Sequence, residues 1–114
     1  MSNAQRVAFE PLRSLAFGSV AASYTAVGGL YDNPARLIKI DNSTDANVLI
    51  SFNGVDDHIF VPAISAVLFD YASDRVGPED RLEQPVNTQI YVKRESGAPS
   101  SGNVYVSLMF ASAK

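Results

Sequence analysis

His58 is the single histidine in the chain, and two carboxylates, Asp56 and Asp57, stand directly before it. A carboxylate beside an imidazole can orient it as a general base. Such a base also needs a nucleophile and donors for the developing oxyanion, and the spacing places no serine or threonine next to His58. On a strand, neighbouring residues point to opposite faces, so Asp57 and His58 diverge. The residues therefore read as non-enzymatic, with His58 a partly exposed strand histidine.

Asp41, Ser43 and Asp45 have the spacing of the first three ligands of a calcium loop. That loop needs glycine at its sixth position and glutamate at its twelfth, and these hold Ala46 and Phe52. Asp32, Asp56 and Asp57 are further carboxylates that loops can bring together, but solvated turns account for them. With no cysteine, thiolate metal sites and disulfides are unavailable. No metal and no cofactor are expected. Asn42-Ser43-Thr44 matches a glycosylation acceptor, a triplet too common to carry an argument. Tyr24, Tyr31, Tyr71, Tyr91 and Tyr105 offer flat rings for sugar stacking, although the chain has no tryptophan.

The elements that must position these groups are short strands. Residues 35–71 carry the densest apolar alternation and read as four strands. Arg36, Ile38 and Ile40 share one face; Val48, Ile50 and Phe52 alternate with Asn47, Leu49 and Ser51. A two-residue turn at Asn53-Gly54 would set Asp57 opposite Ile50 on the apolar face, whereas a four-residue loop over 53–56 pairs Ile50 with Ile59 and Val48 with Val61. The second register is expected, because a slip of one residue turns every side chain over. Pro62 marks an edge or a break, and a strand over 64–69 follows. Leu15, Phe17 and residues 23–27 give short strands earlier in the chain. Thr88, Ile90, Val92 and then Val104, Val106, Leu108, Phe110 give inward rows later. Residues 1–12 read as an extended N-terminal arm tied down by Val7, Phe9 and Leu12, ahead of a single domain over 13–114. Residues 72–87 form the longest loop, with a helical turn expected at 77–82. About eight short strands separated by turns predict an all-β, antiparallel two-sheet sandwich, either a jelly roll or immunoglobulin-like.

At 114 residues the chain is one domain. Its net charge of −3 is spread among interspersed acids and bases, without the basic stripe that a phosphate backbone demands, so direct nucleic-acid binding is not expected. Glu10, Pro11 and Arg13 interrupt the first apolar stretch, which argues against a secretory signal, and no run is long enough to cross a membrane as a helix. Charged residues make up only 18%, a composition suited to a surface partly covered by partners.

Several phrases taken together resemble a family of small virion proteins of tailed bacteriophages. They are Phe17-Gly18-Ser19, Ser23-Tyr24-Thr25-Ala26-Val27-Gly28, Arg36-Leu37-Ile38-Lys39-Ile40-Asp41-Asn42 and Val48-Leu49-Ile50-Ser51-Phe52-Asn53-Gly54. Phe60-Val61-Pro62-Ala63, Leu68-Phe69-Asp70, Gln89-Ile90-Tyr91-Val92-Lys93 and Ser101-Gly102-Asn103-Val104-Tyr105-Val106-Ser107 complete the set. The likeness runs from Leu15 onward and consists of strand and turn phrases, not of a catalytic signature. It implies a non-enzymatic β-sandwich present in many copies in the virion, made in the host cytoplasm and bound to other capsid, neck or tail subunits. Where the family has a short loop ending in a Leu-Pro-x-Gly-Thr-like phrase, this chain has Leu82-Glu83-Gln84-Pro85-Val86-Asn87-Thr88 after a long charged loop. Contacts between subunits are accordingly expected from the arm (Val7, Phe9, Leu12) and from Asp74, Arg75, Glu79 and Arg81 in that loop. The alternative is a carbohydrate-binding sandwich on a tail appendage.

Overall fold

The computed structural model describes residues 6–71 and 83–112. Their strands are β1 (Arg6–Phe9), β2 (Arg13–Ala16), β3 (Thr25–Ala26), β4 (Leu37–Asn42), β5 (Val48–Ser51), β6 (Ile59–Val61), β7 (Ser65–Asp70), β8 (Tyr91–Arg94) and β9 (Asn103–Ser112). The sole helical piece among these residues is a 3-10 turn, Phe17–Ser19, which takes Phe17 out of the strand expected there. One sheet runs β1–β9–β4–β7, with β2 also on β9, and the other runs β3–β8–β5–β6; all pairings are antiparallel. Apart from β1 to β2 and the β5–β6 hairpin, every connection passes from one sheet to the other. That wrapping is the jelly roll, which decides between the two sandwiches open from sequence. The loop residues Asp74, Arg75, Glu79 and Arg81 and the helical turn expected over 77–82 lie outside the described residues.

The core follows the alternation. Ile38 and Ile40 of β4 and Val104, Val106 and Leu108 of β9 face Val48 and Ile50 of β5, Val61 of β6 and Ile90 and Val92 at β8, all buried. Lys39, between the two β4 isoleucines, is exposed. Burying an aliphatic side chain of this size is worth about 1.5–3 kcal/mol, so a few such pairs outweigh any single polar contact.

The hairpin register is the expected one: Val48 pairs with Val61 and Ile50 with Ile59. The connection opens wider than four residues, because β5 stops at Ser51 and β6 starts at Ile59. Side chains hold the loop where ladder bonds are missing. Asn53 Oδ1 accepts from the amides of Val55 (2.8 Å) and Asp56 (2.9 Å), and Ser51 Oγ accepts from Gly54 N (2.8 Å). Gly54 has φ +78, the left-handed conformation glycine adopts without a Cβ penalty. Pro62 follows directly on β6, the edge of its sheet.

The N-terminal segment departs from expectation in a way that matters below. Phe9 pairs with Met109 and Arg13 with Val106, so three residues (10–12) stand opposite two (107–108) on β9. This is a β-bulge, and Pro11 sits within it. The extra residue inverts the face presented on either side. Glu10, whose amide donates to Leu108 O (3.1 Å), and Arg13, opposite buried Val106, both turn inward. Val7, Phe9 and Leu12 turn outward instead, at 63%, 64% and 61% exposure. Backbone pairing along β9 ties the segment down, not those three side chains.

Candidate functional site

The bulge builds the most elaborate polar centre among the described residues. Arg13 Nη2 donates to Glu10 Oε1 at 2.8 Å and to Leu30 O at 3.2 Å, while its Nε lies 3.4 Å from Gly29 O. Glu10 Oε2 accepts from the amides of Asp32 (3.0 Å) and Asn33 (2.8 Å) and from Asn33 Nδ2 (3.2 Å). Burial alone would raise the Glu10 carboxyl, but the hydrogen bonds from Arg13 and Asn33 and the guanidinium charge hold it below the ordinary carboxylate value. The guanidinium also lies 5.6 Å from the centroid of the buried Tyr31 ring, whose hydroxyl donates to Gln84 (2.7 Å). Desolvation pushes the Tyr31 phenol up. Gly28 (φ +72) makes room for the arginine, since a Cβ there would lie 2.6 Å from Arg13 Cγ.

Over this centre lies an open cleft of about 570 Å³, flanked by Leu12 and Leu30. Both oxygens of Glu10 already accept hydrogen bonds from the protein, four in all, and no histidine lines the cleft. The arrangement is a rigid support: two buried charges pin the Gly29–Asn33 turn to the bulge, and the bulge holds Phe9 and Leu12 out toward solvent. No family model matches the chain, and no curated protein is significantly similar to it.

The candidates singled out by spacing lie elsewhere and apart. His58 is exposed; its Nδ1 accepts from Phe52 N (3.0 Å) and its ring stacks on Phe52 at 5.8 Å, which closes the 52–58 loop. Asp57 accepts from the Tyr24 hydroxyl and lies 3.2 Å from Lys93 Nζ, partners that pull its carboxyl down, the tyrosine bond first. Asp56 accepts from Asn53 Nδ2 (2.8 Å). Asp41 is 3.6 Å from Lys39 Nζ, and Asp45 caps the 95–102 loop by accepting from Ser100 N (2.8 Å) and its hydroxyl. The two carboxylates of the spacing that imitates a calcium loop are spent on two separate structural tasks. Among the described residues no three histidine or carboxylate side chains gather as metal ligands.

Asn42 of the glycosylation triplet is 1% exposed, its Nδ2 held among the carbonyls of Ala46 (2.9 Å), Pro62 (3.0 Å) and Val61 (3.2 Å). The tyrosines are dispersed. Tyr31 is buried, Tyr24 lies under Lys93 Nζ (4.7 Å), and Tyr91 and Tyr105 alternate with inward valines on opposite sheets. Sequence reasoning missed Glu10 and Arg13 as a pair. Two opposite charges three residues apart around a proline, in a chain poor in charge, were the available signal.

Proposed function

We propose that this chain is a non-enzymatic structural subunit of a tailed-phage virion, on the capsid or at the neck or tail, assembling in multiple copies. The carrying observation is the bulge edge: buried Glu10 and Arg13 fix the backbone while Val7, Phe9 and Leu12, within six residues, project large apolar side chains into solvent. Clustered exposed apolar side chains on a rigid edge mark an interaction surface. Repetition in a particle supplies avidity, so each contact can be small. The jelly roll is shared by viral capsid and lectin domains and accommodates this role without selecting it. The sequence resemblance supplies the virion context.

The test is to band phage particles from a lysate of the strain carrying the gene and quantify the chain by mass spectrometry. Wild type should be present in multiple copies per particle, and a V7S/F9S/L12S variant with an unchanged thermal midpoint should be lost from it. Absence of the wild-type chain from particles overturns the virion role; full incorporation of the triple variant overturns the edge. Deleting residues 1–12 is the poorer experiment, because it removes β1 and Glu10 and so uncovers β9.

A further inference from the structure

Of the chain's asparagines only Asn53 is followed by glycine. Such a pair is the most open to spontaneous loss of the side-chain amide, because glycine has no Cβ to keep its amide nitrogen off the preceding carboxamide. The fold nevertheless requires both members. Gly54 has φ +78, and the Tyr91 ring stands 3.2 Å from where a Cβ would lie. Asn53 is the hub of the loop and is exposed, so water reaches it. Its Oδ1 accepts from the Ser51 hydroxyl (2.9 Å) as well as from the amides of Val55 (2.8 Å) and Asp56 (2.9 Å).

Every atom that deamidation must move is held in this loop. The nucleophile is Gly54 N, and its N–H is engaged on Ser51 Oγ at 2.8 Å. The electrophile is Asn53 Cγ, whose carboxamide plane is fixed by the three donors on Oδ1. The leaving group is Nδ2, which donates to Asp56 Oδ2 at 2.8 Å. Asn53 N also donates to Ser51 Oγ (3.2 Å), so the backbone on both sides of the side chain is tied to one hydroxyl.

We propose that Asn53 is a deamidation site that the folded 51–56 loop holds unreactive, so that modification proceeds only through local opening. In the open loop Gly54 N gives its proton to solvent base and bonds to Asn53 Cγ. The Cγ–Nδ2 bond breaks, and Nδ2 leaves as ammonia with a proton from water. Water then opens the cyclic imide at either carbonyl, giving aspartate or isoaspartate at position 53. Isoaspartate adds a methylene to the main chain and removes Oδ1 as the side-chain acceptor of the Val55 and Asp56 amides, so the loop does not re-form. The chemistry runs one way, and the modified fraction records the time the loop has spent open. The inference is independent of the virion reading and is measured on the purified chain.

The full chain is incubated in mildly alkaline buffer with and without urea, and deamidation is located by peptide mapping with mass spectrometry. Isoaspartate is counted by enzymatic methylation. In urea Asn53 should react ahead of Asn42, with isoaspartate exceeding aspartate as the imide route requires. In native buffer it should react at least about tenfold more slowly, since hydrogen bonds must break first. Asp56→Ala, at an exposed residue, frees Nδ2 and should speed the native reaction about two- to tenfold; Ser51→Ala frees Gly54 N and should do at least as much. The isoaspartate form, separated by ion exchange and returned to native buffer, should exchange the Val55 and Asp56 amides faster than the unmodified chain. Equal rates with and without urea, Asn42 reacting first in urea, a native rate unmoved by D56A and S51A, or an isoaspartate form with unchanged exchange would each overturn the proposal.

Discussion

Replacing Glu10 by alanine removes the acceptor for Arg13 Nη2, two backbone amides and Asn33 Nδ2 at once, and leaves a buried cation without its counter-charge. Side-chain exposure of 9% and 4% for Arg13 and Glu10 places the pair in the regime where removing one partner costs about 3–5 kcal/mol. For a chain of this size that corresponds to a fall in thermal midpoint of roughly 12–20 °C. Arg13→Met should be milder, about 1–3 kcal/mol, because Glu10 keeps three donors and the orphaned Arg13 Nη1 disappears with the side chain. Urea unfolding followed by circular dichroism on wild type, both single variants and the double variant closes the cycle. The double should cost less than the sum of the singles by at least about 1.5 kcal/mol. The pH arm has a definite sign. The native Glu10 pKa lies below its ordinary 4.5, so its contribution is present above that value and is lost as pH falls through the native one. The gap between E10A and wild type should therefore narrow in acid. A loss under 1 kcal/mol for E10A, or additive single variants, would refute the account of the bulge.

Gly102→Ala should cost more than about 2 kcal/mol by urea unfolding, since its Cβ would lie 2.1 Å from Ser43 O and the residue has φ +89. Ile64→Asn should stabilise by about 0.5–1 kcal/mol in the same assay, because an isoleucine at φ 54 and 72% exposure carries strain with little burial in return. Asn42→Ala should cost about 2–3 kcal/mol and speed amide exchange at Thr44, whose N–H and hydroxyl both donate to Asn42 Oδ1 (3.1 and 2.6 Å).

The sandwich was legible because its strands alternate. Ile38, Ile50, Ile90 and Val106 could be assigned inward from period alone, and the β5–β6 register followed from the cost of burying Asp57. The bulge was not legible. Val7, Phe9 and Leu12 are apolar and look like anchors, but one residue inserted around Pro11 reverses their face, and that depends on β9, about a hundred residues away in sequence. For the same reason the partnership of Glu10 with the Asp32–Asn33 amides could not be read locally. Asp45 invited a metal reading by spacing and Asp57 by its place in a loop, but their partners, Ser100 and Tyr24, come from distant turns.

β9 is the last of the described strands, and it carries β4 on one side with β1 and β2 on the other. On the ribosome, β1 and β2 cannot join β4 and β7 in one sheet until residues 103–112 have emerged from the exit tunnel. Among the described ladders the hairpin over 48–61 is the most local one open to a nascent chain before then. Such non-local closure is slow. Until β9 arrives the apolar faces of β4 and β7 lack their central partner, and yield should respond to translation speed and chaperone supply more than to the strength of any single contact in the finished fold.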